Sequence, residues 1–271
     1  MSKEFKTIEE QINILKSRSL IVNENEAKII FSKNNYYYLI NGYKDLFVNK
    51  NNNEEKYKEN VTLNEIYALY EFDSEIRMDF LKYILKIERR IDTYIAYEFS
   101  KKYGHYNYLI SDNFENTKSN AMNITNLIST INNNMIKQMK NKNKMLNHYM
   151  NKYGYVPFWV LIRIMTFGEI SKFYSLMKQK DQNAIAKNFN IRENILKSYL
   201  ENLAIIRNLC AHDEKIYDIR LRKCIGTTEY HKIMGIENTG KKDLFSVIII
   251  LKTLLEEKEF KDFYSILIDN I

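Results

Sequence analysis

Residues 62–104 read TLNEIYALYEFDSEIRMDFLKYILKIERRIDTYIAYEFSKKYG, and this stretch decides the fold class. Leu63, Ile66, Leu69, Ile76, Phe80, Tyr83, Ile84, Ile87, Ile91, Ile95 and Phe99 recur at three- and four-residue intervals. That is the period of one face of an α-helix. Thr62 and Glu65 precede most of them with the spacing of a capping box, and Gly104 supplies the stop. The pattern is long for a globular helix, so a kink or break is expected inside it.

The same period continues on both sides. Toward the N-terminus, Ile8, Ile12 and Leu15 mark a helix over 7–16, and Asn23 with Glu26 opens a second one running to about Phe31. In KNNYYYLINGYKDLF, residues 33–47, Tyr36, Leu39, Ile40 and Tyr43 form one apolar face, with Gly42 closing or bending the helix. A polar loop over 49–60 follows. Beyond Gly104 a weaker helix is expected over 118–139, carrying Met122, Ile124, Leu127, Ile131, Met135 and Met139, then a basic connector over 140–144. Residues 158–165 read as a buried helix with Pro157 at or near its start and Phe158 and Trp159 in the core. Gly168 separates it from a helix over 169–177, and a short helix or turn follows over 181–188. Residues 190–210 are clearly amphipathic through Ile195, Leu196, Tyr199, Leu200, Leu203, Ile206 and Cys210. Two last helices are expected over 243–257 and 258–268. The fold class is all-α, a helical bundle with an N-terminal helical cap. Residues 1–60 form the aromatic-rich helical segment, and 61–271 form the bundle with a basic insertion around 116–156.

Composition excludes the alternatives. Seven glycines and one proline in 271 residues are too few for the turns of a β-sandwich or barrel. A hydrophobic content of 45% argues against global disorder. Cys210 and Cys224 make no disulfide framework, and no Cys/His spacing suggests a metal site; no metal or cofactor is expected. The opening MSKEFKTIEE lacks the apolar run of a signal peptide. The strongest apolar run, LFSVIIIL over 244–251, falls short of the roughly 20 residues a span requires. A cytoplasmic, reducing compartment without membrane partners is the natural expectation.

The net charge of +7 is local. Residues 116–168 contain no acid and seven bases: Lys118, Lys137, Lys140, Lys142, Lys144, Lys152 and Arg163. Removing those seven from the 41 basic residues leaves 34, equal to the 34 acidic ones. This stretch is a candidate to track a phosphate backbone, with a solvated helix face as the alternative. Tyr36, Tyr37, Tyr38 and Tyr43 could stack bases, although aromatics at helical spacing are more often core. His105 and His148, flanked by tyrosines, are assigned to packing.

The line with chemical content is ENLAIIRNLCAHDE, residues 201–214. It places Arg207, Asn208 and His212 at the end of an otherwise apolar helix. Asn208 and His212, four apart, share a face. Arg207 and His212 are about 140° apart around an ideal helix. A histidine at a helix C-terminus is favoured as the cation and can exchange a proton near neutral pH. Arginine suits the non-bridging oxygens of a phosphodiester, histidine the proton of a 2′-hydroxyl or leaving oxygen, and asparagine the orientation of either. Capping and surface hydrogen bonding are the alternative reading. Glu201 and Asp213 are candidates to tune His212, or surface charges. Arg220, Arg222 and Lys223 follow closely enough to meet a phosphate.

RNLCAH, residues 207–212, resembles the R-x4-6-H motif of HEPN-fold ribonucleases. Three ordered elements resemble the Abi family of phage abortive-infection proteins (AbiD/AbiF-like). Residues 33–47 are similar to its NYYxLxGYxxxF element, 148–171 (HYMNKYGYVPFWVLIRIMTFGEIS) to HYxxKYGxxPxWxxxxxxTFGxxS, and 204–212 to IRNxCAH. The resemblance implies a HEPN-like helical bundle, RNA as ligand and substrate, and a toxin-like role in phage defence. It assigns Arg207, Asn208 and His212 to catalysis by a metal-independent endoribonuclease leaving a 2′,3′-cyclic phosphate and a 5′-hydroxyl. With one such motif per chain, the implied cleft needs a homodimer. Lys137, Lys140, Lys142, Lys144, Lys152, Arg220, Arg222 and Lys223 are the expected RNA contacts. The chain departs from the subgroup whose motif continues H-x-Y, because Glu214 stands at the tyrosine position. Control by a non-coding RNA, a non-catalytic RNA-binding module and a protein-interaction scaffold are the competing expectations.

Overall fold

The computed structural model describes residues 4–49, 55–236 and 241–270. Among these are thirteen α-helices, five short 3-10 turns and no β-strand, so the fold is all-α. The chain divides into two compact units, Met1–Arg77 with Ile268–Ile271, and Met78–Leu267.

In the first unit, α1 (Ile8–Ser17), α2 (Glu24–Lys33) and α3 (Tyr36–Tyr43) start on the side chains expected to cap them. Thr7 and Glu10 exchange reciprocal bonds of 3.2 and 2.8 Å, and Asn23 accepts from the N–H groups of Asn25 and Glu26. Asn35 accepts from the Tyr38 N–H at 3.1 Å. Each satisfies donors that the first helical turn leaves open. Gly42 does not close α3. It lies in ordinary helical backbone with open space around it, and the chain passes from Tyr43 into a 3-10 turn, Lys44–Leu46. The polar loop expected over 49–60 lies partly outside the described residues. At its described end Tyr57 is buried, and its N–H donates to the Arg18 carbonyl at 2.9 Å.

The long pattern is one unbroken helix, α4 (Leu63–Tyr103), of 41 residues. Thr62 and Glu65 form the capping box, with bonds of 2.7 and 3.2 Å. The expected break is absent: the segment contains no proline or glycine, the usual causes of one. Gly104 ends it at φ +86°, where only glycine is unstrained, and its N–H donates to the Ser100 carbonyl.

The second unit continues with α5 (Ala121–Lys140), α6 (Lys144–Tyr153), α7 (Phe158–Leu161), α8 (Phe167–Leu176), α9 (Gln179–Ala186), α10 (Glu193–Ala211), α11 (Glu229–Ile233), α12 (Leu244–Leu254) and α13 (Glu257–Asp269). α10 packs on α8, α9 and α12. Phe99, Phe114, Phe158 and Phe173 form one ring cluster with centroids 4.9–5.7 Å apart, a spacing favourable for offset and edge-on pairs. Phe263 of α13 meets Phe80 and Tyr83 of α4, and Arg90 pairs with Glu256 and Glu259.

Several local expectations change. Pro157 is the N-cap of α7, which ends at Leu161 and continues as a 3-10 turn, Ile162–Ile164. Phe158 is buried, but Trp159 is 49% exposed, because on so short a helix the adjacent position faces outward. Gly168 lies inside the first turn of α8; the separator is Thr166, which forms a capping box with Glu169. The basic connector shrinks to 141–143, where Lys142 takes φ +59° and Asn143 caps α6. No described helix is long and apolar enough to cross a membrane.

Candidate functional site

The end of α10 follows from its sequence. Ile206 and Cys210 are buried and fix the inner face, so Asn208 and His212 face solvent. His212 is the C-cap, its N–H donating to the Asn208 carbonyl at 3.0 Å. Asp213 takes φ +60°, and the Glu214 N–H closes back on the Leu209 carbonyl at 2.9 Å. This is a Schellman turn with aspartate at the position glycine usually holds. It fixes the backbone that carries the exposed imidazole.

Arg207 turns to the other side. It is half-buried, and its Nε donates to Glu88 Oε2 of α4 at 3.5 Å. One turn further along α4, Asp92 Oδ2 lies 3.7 Å from Arg163 Nη1, from the 3-10 turn after α7. Two carboxylates and two guanidiniums thus stand together. Burial pushes the Glu88 carboxyl up, and Arg207 opposes the shift. Burial, with the Glu88 charge added, raises Asp92 to about 7 against the pull of Arg163. Two acids four apart on a largely buried face cannot both ionise cheaply, so the pair holds a proton to higher pH than free carboxyls do.

The structure therefore joins Arg207 to Glu88, and joins Asn208 and His212 on an exposed face. Glu88, Asp92 and Arg163 were absent from the sequence-derived site. The available signal was two carboxylates, i and i+4, beside Ile84, Ile87, Ile91 and Ile95 on an otherwise apolar helix. Glu201, one of the two acids considered beside His212, pairs with Lys223.

Lys137 and Lys140 lie in the last turn of α5, Lys142 in the connector, and Lys144 and Lys152 at the two ends of α6. All five are exposed, and among the described residues none forms an ion pair. Arg220 and Arg222 are exposed on either side of buried Leu221, whose N–H donates to the Lys242 carbonyl. Tyr43 is core: its hydroxyl donates to Asp73 Oδ2 at 2.8 Å and accepts from Arg77 Nη1 at 3.0 Å. Tyr37 is exposed, while Tyr36 and Tyr38 pack edge-on against Phe31, Tyr43 and Tyr70. His105 packs as expected, its Nε2 3.0 Å from the Tyr155 hydroxyl and its ring 6.2 Å from Trp159. His148 is exposed rather than packed in the core, its ring 5.4 and 6.4 Å from those of Tyr149 and Tyr153.

No curated protein and no solved structure is significantly similar to the chain. Residues 30–218 match the family described as Abi-like protein. That span contains α3, the buried Tyr43–Asp73–Arg77 cluster, the Glu88–Arg207 pair and the whole of α10, and over it the chain belongs to the Abi-like protein family.

Proposed function

We propose that this Abi-like protein is a phage-defence endoribonuclease whose reaction is carried by Arg207, Asn208 and His212 without a metal ion. One observation carries the reading: Arg207 is held through Nε by a buried carboxylate, beside the helix end that exposes Asn208 and His212. A guanidinium held at Nε keeps its two Nη groups as donors, enough for two phosphate oxygens. His212 takes the 2′-hydroxyl proton, the 2′-oxygen attacks phosphorus as the P–O5′ bond breaks, and the proton held on His212 passes to the leaving 5′-oxygen. Arg207 offsets the charge developing on the phosphoryl oxygens. The products are a 2′,3′-cyclic phosphate and a 5′-hydroxyl. With one motif per chain, the cleft is proposed to be a homodimer's, two Arg207/His212 pairs meeting across a two-fold axis.

The test is cleavage of an RNA pool in EDTA. Cleavage should persist in the chelator and fall by roughly 10²–10⁴ in His212→Ala, the range general acid–base catalysis supplies, with a comparable loss in Arg207→Ala. Undiminished cleavage by both variants sinks the assignment. The exposed lysines of α5 and α6 favour one second reading, an RNA-binding module without catalysis and silenced or directed by a non-coding RNA. RNA that co-purifies with the wild-type chain uncut would select it.

A further inference from the structure

The face of α4 beyond Asp92 lines a cavity of about 590 Å³, within the usual range for small-ligand sites. Asp92, Ala96, Tyr97 and Ser100 form one wall, and Trp159 and Arg163 the other. The walls run antiparallel. The Phe158 N–H donates to the His105 carbonyl at one end, and Arg163 meets Asp92 at the other.

Two of the side chains lining it each bury a polar atom with no hydrogen-bond partner among the described residues, Asp92 Oδ1 and Ser100 Oγ. The Asp92 side chain is only 8% exposed. Buried polar atoms are nearly always paired, so two unpaired ones just behind the wall of one cavity point to a ligand toward which these side chains turn. The remaining chemistry narrows the ligand. Tyr97 and Trp159 are 63% and 49% exposed, large flat faces left unburied inside a concave site. Lys101, His105 and Arg163 also line it, which disfavours a cationic ligand and favours an anionic one. Asp92 and Ser100 are eight residues apart, about 12 Å along the helix, roughly the length of one nucleotide unit. The aromatic end lies toward His105, and the cationic end lies toward Arg163, one turn from the Glu88–Arg207 pair.

We infer that this cavity holds one ribonucleotide unit of an RNA strand, its base against Trp159 and Tyr97, its ribose hydroxyls on Asp92, and its phosphate toward Arg163. A buried carboxyl facing a ribose selects RNA over DNA, because only ribose offers the 2′-hydroxyl. The inference extends the reading of Arg207 as a phosphate-binding residue and makes Asp92 a specificity residue. A free nucleotide shares this chemistry, and the test separates the two sources.

Trp159 is the only tryptophan of the chain, so its fluorescence reports on this cavity alone. The wild-type chain is titrated with 5′-AMP and 5′-dAMP, and the His212→Ala chain with ribo- and deoxyribo-oligoadenylate tetramers. We expect saturable quenching, with each ribo-ligand at least about fivefold tighter than its deoxy counterpart and the ribo-tetramer about tenfold tighter than AMP. AMP binding as tightly as the tetramer overturns the strand assignment. Asp92→Ala should abolish the ribose preference. Tyr97→Ala, at an exposed position that does not threaten folding, should weaken all four ligands roughly tenfold and keep the preference, as loss of one stacking face does. Absent quenching, equal ribo and deoxy affinities, or an unchanged preference in Asp92→Ala overturns the inference. Failure of the nuclease reading shows instead as missing product with quenching and ribose preference intact.

Discussion

Asp92 stands one helical turn beyond Glu88, and the two share a desolvated face with Arg163 and Arg207 as counter-charges. Burial and the neighbouring Glu88 charge push its carboxyl up to about 7 in the folded chain, well above the ordinary aspartate value of 3.8. Between those values the folded state holds a proton that the unfolded chain has released. Stability therefore falls as pH rises from about 4 to 7 and levels off above. Asp92→Asn places a neutral amide where the protonated acid sits, and it removes that dependence. Chemical denaturation of both proteins at pH 5 and pH 8 should show the variant gaining on the wild type by about 2 kcal/mol or more across the interval. A gap that does not change with pH contradicts this account. The two carboxylates four apart on an apolar helix were legible in the sequence, but their partners were not. Arg207 lies 119 residues from Glu88, and only the folded chain shows which of the arginines meets which acid. Arg207, Asn208 and His212 were legible because they occupy consecutive turns of one helix.

At the scale of elements, α3 is tied to α4 inside the first unit by Tyr43, Asp73 and Arg77, all buried. Arg77 also pairs with Asp73, i,i+4 along α4. A buried pair contributes little relative to a well-packed apolar substitute, but removing one partner strands the other's charge. Arg77→Met should therefore cost about 3–5 kcal/mol. The double variant Asp73→Asn with Arg77→Met should recover a large part of the loss, measured as urea midpoints in a double-mutant cycle. Additive losses would show that the pair is not energetically coupled. What could be read ahead at this scale was whatever is local. Thr7 with Glu10, Asn23 with Glu26 and Thr62 with Glu65 cap their helices because the bonds span three residues or fewer. Gly42 and Gly168 misled because a glycine ends a helix only where the backbone turns left-handed, as at Gly104, and that turn is set by the packing around it. Trp159 misled because hydrophobicity says a ring is costly to expose but not what it is exposed to.

Across the whole molecule, the basic stretch and the proposed reacting residues are separate in sequence and share only Arg163, which meets Asp92. The excess of basic residues lies in 116–168, while His212 and Arg207 sit near the end of α10. Lys137, Lys140, Lys142, Lys144 and Lys152 are exposed on α5, α6 and their connector, with no acid in that stretch to neutralise them. Cations in that state release counterions when they bind a polyanion, and each contact adds about 0.7 to the salt slope for single-stranded RNA. Replacing all five by alanine should lower the slope of log affinity against log salt by between about 1 and 3.5, depending on how many touch the strand. The cleavage rate at saturating RNA should stay within about twofold, since none of the five is near the reacting atoms in the proposed mechanism. Arg207→Ala should do the opposite, abolishing cleavage while changing the slope by no more than about one contact. Filter binding from 50 to 300 mM salt, paired with single-turnover cleavage, reads both quantities on the same proteins. If the five-alanine chain keeps the wild-type slope, RNA does not run over α5 and α6, and the basic stretch is a solvated face.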